Sequence, residues 1–175
     1  MNTHHKASLD FTIGGTSAAR ITLLAALATA IHVAEGALPA LGPIKPGFAN
    51  AIVLATWQSH GLKAALMVNV LRLLCGALLS GALLSPRFGL ALAGFALSSL
   101  GLLLAPKLAA RGVSLMGVSV LCAWLHMAGQ LLALGIVFPH FPLGATAPWL
   151  LAYALIAGLA TGWLALYFVR TPKEA

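Results

Sequence analysis

Long apolar segments with few charges constrain the fold of this chain more than any other feature. Six of them follow one another, and each ends near proline, glycine or a charged residue: Arg20–Leu41, Phe48–Gln58, Lys63–Leu84, Phe88–Ala105, Gly112–Phe138 and Pro148–Val169. Five have about the length of roughly 20 residues that a helix needs to cross a bilayer. The second segment is too short for a straight crossing and predicts a short or broken helix.

Composition argues against a water-soluble domain. Of the 175 residues, 61% are hydrophobic and 7% are charged, whereas soluble domains contain about 25% charged residues. Lipid must therefore be the solvent for most of the surface. Backbone polar groups have to be paired within a segment in lipid, and no polar–apolar alternation is present, so helices are expected. The predicted fold class is an all-α membrane protein, a bundle of about six transmembrane helices.

The basic residues predict how this bundle is oriented. If all six segments cross, one side of the membrane holds seven flanking basic residues and the other side holds two. The seven are Lys6, Arg20, Lys63, Lys107, Arg111, Arg170 and Lys173, and the two are Lys45 and Arg87. Because basic residues favour the cytoplasmic side, both termini are predicted to be cytoplasmic. The predicted domains are a disordered tail at 1–19, a transmembrane domain at 20–170 and a second tail at 171–175.

Several other uses of the polar residues are not favoured. The basic residues are scattered singly and not interleaved with aromatic residues, so no nucleic-acid partner is expected. Cys75 and Cys122 lie inside apolar segments without metal-ligand spacing, and we expect neither a disulfide nor a metal site. No GxxxxGK[ST] motif occurs, so nucleotide hydrolysis is not expected. No cofactor is predicted.

Polar side chains at membrane depth are the candidate ligand-binding residues, because such groups are costly in lipid and usually have a function. Arg72 lies near the middle of the third segment, with Asn69 one helical turn earlier on the same face. His126 and Gln130 are related in the same way in the fifth segment. The residues predicted to line a pocket that opens outward are Arg72, Asn69, His126, Gln130, Asn50 and Glu35.

Two interpretations of Arg72 stay open at this point. A guanidinium keeps its charge in lipid, so it needs a partner there. The partner is either the carboxylate of Glu35, in a pair that holds helices together, or an anionic group on a bound ligand. Glu35 is the only acidic residue between Asp10 and Glu174, and the first interpretation places it beside Arg72.

Small residues at four-residue spacing predict surfaces where helices approach closely. Ala26, Ala30 and Ala34 form such a strip in the first segment. Gly158 and Gly162 form another in the sixth, where we expect ordinary packing within the bundle.

Three stretches resemble a known family. They are Pro46-Gly47-Phe48-Ala49-Asn50, the segment LRLLCGALLSGALLSPRF at Leu71–Phe88, and GVSVLCAWLHMAGQLL at Gly117–Leu132. From about Arg20 to Val169 the chain resembles the Gx transporter family, which is also labelled heptaprenyl diphosphate synthase component I. The resemblance implies a bundle similar to the substrate-binding S components of energy-coupling-factor vitamin transporters.

The resemblance also carries expectations about partners and location. In S components a short second helix and the first outer loop help to cover the ligand. The resemblance implies that Ala26, Ala30 and Ala34 contact a membrane coupling protein. It further implies a multi-pass protein of the bacterial cytoplasmic (inner) membrane that binds a small-molecule ligand. Arg72 adds a preference for a ligand with negative charge.

The synthase label does not predict catalysis by this chain. Usual prenyl diphosphate synthases hold magnesium with aspartate-rich motifs, whereas this chain has three acidic residues, far apart. No catalytic residues and no enzyme activity are expected. The leading hypothesis is a membrane component for uptake of a vitamin-, flavin- or prenyl/quinone-precursor-like ligand. The alternatives are a non-catalytic membrane subunit of heptaprenyl diphosphate synthase or isoprenoid-quinone synthesis, and an assembly subunit of a membrane redox complex.

Overall fold

A computed structural model describes residues 12–13, 16–37 and 47–170. Six helices build the fold of this part of the chain: α1 (Ala18–Ala37), α2 (Phe48–His60), α3 (Leu62–Leu79), α4 (Pro86–Ala110), α5 (Leu115–Val137) and α6 (Leu143–Arg170). All except α2 are long and apolar enough to cross a membrane. The predicted all-α membrane bundle is therefore confirmed, and the protein is a multi-pass membrane protein.

Two very short strands precede α1. β1 (Thr12–Ile13) pairs in antiparallel fashion with β2 (Thr16–Ser17). These residues belong to the segment for which the sequence predicts a disordered tail, so part of that segment forms a small hairpin. The other residues of the predicted tails lie outside the described residues, and the domain boundaries stay predictions.

Two helices extend past prolines that the sequence analysis places at the ends of segments. α4 continues through Pro106, and α6 begins five residues before Pro148. A proline removes one backbone hydrogen bond and bends a helix, but the turns on either side of it can continue. α4 ends shortly before Gly112, whose φ of 86° is a left-handed conformation that glycine adopts readily.

Glycine contacts join α4, α5 and α6 as antiparallel neighbours. A methyl group at Gly129 of α5 would collide with the carbonyl oxygen of Ala93 in α4. A methyl group at Gly158 of α6 would lie 2.8 Å from the Cα atom of Val120 in α5. Only glycine lets these backbones approach so closely. Gly158 therefore packs within the bundle, as the sequence analysis predicts, and Gly162 does the same against Ser119 and Met116 of α5.

α1 packs alongside α3 in the other half of the bundle. The ring of His32 lies against Gly76, where a methyl group would come within 2.7 Å of it. His32 and Gly76 are each the fifteenth residue of their helices, which fits two helices that run in the same direction.

α2 is short, largely buried and central. Its 13 residues span about 20 Å at 1.5 Å per residue, which is less than the roughly 30 Å hydrocarbon core of a bilayer. It contacts α1, α3, α5 and α6, and a single residue, Gly61, connects it to α3. Six of its residues are buried: Ala49, Ala51, Ile52, Val53, Leu54 and Thr56. α2 therefore covers only part of the depth of a bilayer, and the space around its first half is bounded by longer helices.

Candidate functional site

An interior cavity lies where α2, α3, α4, α5 and α6 meet. The cavity volume is about 30 Å³ when measured as the space open to the centre of a water-sized sphere, and all unfilled space, including the opening, is about 410 Å³. Half of its ten wall residues carry an amide or a hydroxyl group, and the others are apolar or carry a thiol. This mixture of apolar surface and a few hydrogen-bonding groups is typical of sites for small organic molecules. The wall consists of Asn50, Val53, Leu54, Asn69, Ser98, Leu102, Ser119, Cys122, Ala123 and Thr161.

Three hydroxyl groups of the wall already donate to backbone carbonyl oxygens. This arrangement satisfies a hydroxyl hydrogen inside an apolar bundle and leaves the oxygen free to accept. The bonds run from Ser98 to Phe95 (3.1 Å), from Ser119 to Gly158 (2.7 Å) and from Thr161 to Ala157 (2.6 Å). The bond from Ser119 also joins α5 to α6.

Asn69 connects the cavity to a buried arginine. Its Oδ1 accepts a hydrogen bond from Nη2 of Arg72 at 2.8 Å, and its Nδ2 donates to Oγ of Ser99 at 3.4 Å. Asn69 and Arg72 are 4% and 6% exposed. The Nε atom of Arg72 is buried and has no hydrogen-bond partner among the described residues. A buried donor in that state costs about 1–3 kcal/mol, so a water or ligand oxygen there would be favourable.

The buried side chain of Glu35 lies at the first turn of α2. Its Oε1 accepts a hydrogen bond from the backbone nitrogen of Phe48 at 2.5 Å, and the residue is 7% exposed. A carboxylate at this position satisfies a free amide of the helix and complements the helix dipole. Glu35 is also within electrostatic range of Arg72. Glu35 of α1 therefore interacts with the start of α2 through a hydrogen bond and with Arg72 of α3 through electrostatic attraction.

His126 and Gln130 pack against α4 at a glycine. A methyl group at Gly94 would lie 2.8 Å from the His126 ring and 2.9 Å from the Gln130 side chain. The ring of His126 is within electrostatic range of Arg72 and His32. His126 of α5 therefore lies on the same side of the bundle as Arg72 of α3.

The six residues that the sequence predicts as one pocket fall into two groups. Asn50 and Asn69 lie on the cavity wall, whereas the other four do not line it. These four are Arg72 and Glu35, which interact electrostatically, and His126 and Gln130 of α5, which pack against α4. We call them the polar layer. Among the described residues, no group of three His, Cys, Asp or Glu side chains could hold a metal ion.

Sequence reasoning missed the hydroxyls of the wall. Ser98, Ser119 and Thr161 lie inside predicted transmembrane segments, and serine or threonine at membrane depth is the signal that could have identified them. The signal is weak, because a hydroxyl that bonds to its own helix is tolerated almost anywhere in such a segment.

The strip of small residues on α1 faces away from the bundle. Ala26, Ala30 and Ala34 are all exposed, and Leu23 beside them is 69% exposed. The strip is therefore open to contact from outside the described part of the chain.

The family model for heptaprenyl diphosphate synthase component I matches residues 24–168, from the first turns of α1 to the last turn of α6. The chain belongs to this family. A component I of a synthase implies partner subunits in a complex, and the chain is thus one component of an assembly. No curated protein and no solved structure matches the chain.

Proposed function

We propose that this chain binds a small organic molecule for uptake across the membrane and works with partner proteins. The ligand classes considered are vitamin-, flavin- and prenyl/quinone-precursor-like molecules. The observation that carries the proposal is the interior cavity with hydrogen-bonding groups on an apolar wall. Protein interiors are close-packed, and unfilled space beside hydrogen-bonding groups on an apolar wall supports the binding of a small molecule there.

In this proposal the ligand contacts the wall residues Asn50 and Asn69. The polar layer stabilises the wall from the side that faces away from the ligand. Arg72 lies behind this wall and is hydrogen-bonded to Asn69. We propose that the site opens toward the outside of the bacterial inner membrane and that both termini are cytoplasmic. This orientation follows from the distribution of basic residues.

The exposed strip of Ala26, Ala30 and Ala34 is proposed as the contact with a membrane coupling protein. Small side chains let a second helix approach closely, which strengthens van der Waals contact where lipid removes the hydrophobic driving force. The exposure of all three residues supports this role.

The family description favours a second candidate. The chain would then be a non-catalytic membrane subunit of heptaprenyl diphosphate synthase, and its partner would be a soluble prenyltransferase. Purification of the chain under mild conditions separates the two candidates, since a bound small molecule supports uptake and a bound soluble prenyltransferase supports the synthase subunit.

The direct test is mass spectrometry of small molecules released from the gently purified protein. Asn50→Leu should lose most of the molecule that the unmodified protein retains. Thr56→Val is the matched control, because Thr56 is buried on the same helix but bonds to Ile52 at 2.7 Å and is not on the wall. The proposal fails if nothing is enriched over an unrelated membrane protein, or if Asn50→Leu retains the same amount.

A further inference from the structure

The described residues of the cavity wall are uncharged. None of the ten is Asp, Glu, Lys, Arg or His. A phosphate or carboxylate placed there would lose its water shell without gaining a counter-charge from the wall, which is strongly unfavourable. A cation fits no better, because the described wall offers no carboxylate. The nearest charge, that of Arg72, does not line the cavity and is offset by Glu35.

Arg72 determines which way the Asn69 amide faces. A guanidinium has donors and no acceptor, so the amide oxygen of Asn69 must be the atom that meets Nη2 of Arg72. The amide nitrogen is then on the other side, where one of its two hydrogens is directed to Ser99. The second hydrogen remains for a molecule in the cavity, and Asn69 is therefore fixed as a hydrogen-bond donor.

The three wall hydroxyls complement this donor. Ser98, Ser119 and Thr161 each direct their hydrogen at a backbone carbonyl oxygen. Their oxygen lone pairs are what they can offer to the cavity. The wall thus combines a fixed donor on α3 with acceptors on α4, α5 and α6.

We propose that the occupant of the cavity is an uncharged molecule, with an acceptor that meets Asn69 and donors that meet the hydroxyls. Arg72 is then a positioning residue that acts through Asn69 and does not itself contact the occupant. This inference rests on the proposed function and narrows its ligand class. It excludes a molecule whose diphosphate would sit in the cavity, although an uncharged prenyl alcohol or a neutral heterocycle fits the wall.

Asn69→Asp distinguishes two roles of Asn69, as a hydrogen-bond donor to the occupant and as a residue that only stabilises the fold. Aspartate keeps the bond to Arg72 and makes it charge-assisted, but it has no amide hydrogen for the occupant. The melting temperature should therefore stay the same or rise, whereas the amount of co-purified molecule should fall at least tenfold. A residue that served only the fold would show no such loss.

The readout is the molecule that the unmodified protein and Asn69→Asp release into acidified methanol, identified by high-resolution mass and by its charge at pH 7. An uncharged molecule that is lost from Asn69→Asp supports the inference. A released molecule with a phosphate or carboxylate overturns the inference but leaves the proposed function standing. That result comes from the unmodified protein and does not depend on whether a variant folds. Retention of the molecule by Asn69→Asp also overturns the inference, whereas no molecule from the unmodified protein overturns the proposed function as well.

Discussion

Arg72 and Glu35 are the opposite charges at the centre of the polar layer, and each is more than nine-tenths buried. Arg72 donates a hydrogen bond to Asn69, whereas Glu35 accepts one from the start of α2. Their electrostatic interaction therefore connects two local hydrogen-bond arrangements. Loss of either charge leaves the other without compensation in a medium of low dielectric constant.

Arg72→Gln should lower thermal stability, by roughly 1–3 kcal/mol for groups left unsatisfied in the interior. Glu35→Gln made in the same protein should restore part of that stability, because two neutral amides leave no orphan charge. The double variant should not regain the bound small molecule, since the donor orientation of Asn69 is still lost. Melting temperatures and co-purified molecule for both single variants and the double variant test this. Full recovery of binding in the double variant would show that Arg72 serves the fold alone.

At this scale the sequence identifies the polar residues at membrane depth but not which of them share a wall. Asn69 and Arg72 are one turn apart, and that spacing is sufficient to place them together. The separation of Arg72 from the cavity depends on how α3 is rotated against α4. Neighbouring residues in an apolar helix carry little information about that rotation, because almost every face is hydrophobic.

At the scale of the helices, the packing of α4, α5 and α6 depends on close backbone contact at glycines. The position of α2 depends on the burial of its side chains. The sequence predicts six helical segments and the shortness of the second, because length and punctuation are visible in the chain. It does not predict that α4 passes through Pro106 or that α6 starts before Pro148. The hydrogen bonds on either side of a proline decide that outcome, and they are not visible in the composition of a segment.

Gly129→Ala tests the contact between α4 and α5. The added methyl group would meet a backbone oxygen, which cannot move aside as a flexible side chain can. The helices must separate, and we expect a loss of roughly 1–3 kcal/mol, typical of overpacking. Gly89→Ala is the control, because nothing lies within 4 Å of the position of its methyl group. Melting temperature should fall for Gly129→Ala and stay level or rise slightly for Gly89→Ala. Equal effects would argue against close packing at Gly129.

Ala30→Trp tests the proposed partner surface on α1. The side chain is exposed, so tryptophan should leave the bundle folded but prevent another helix from approaching. Ala96→Trp on α4 places the same bulk at a different exposed position and should not affect the partner. Co-purification of membrane partners with each variant is the measurement. Undiminished partner binding by Ala30→Trp would remove the strip from the proposal.

For the whole molecule, the orientation in the membrane remains a prediction from charge. It is tested with single cysteines in a protein in which Cys75 and Cys122 are replaced by alanine. A membrane-impermeant thiol reagent added from outside should label Phe141→Cys, between α5 and α6, and a cysteine at Gly42, which lies outside the described residues. It should miss Ala110→Cys at the end of α4. Labelling of Ala110→Cys from outside would reverse the proposed orientation.

The interior cavity, whose described wall residues are uncharged, makes small-molecule binding the central claim about the molecule. Mass measurement of the intact protein, released from lipid nanodiscs under native conditions, tests it most directly. We predict that the unmodified protein carries one organic molecule. Ser98→Leu, which fills part of the cavity, should lose that molecule, and Ala96→Leu, at an exposed position two residues earlier on α4, should keep it. A bare mass for the unmodified protein, or the same added mass on Ser98→Leu, would contradict the claim.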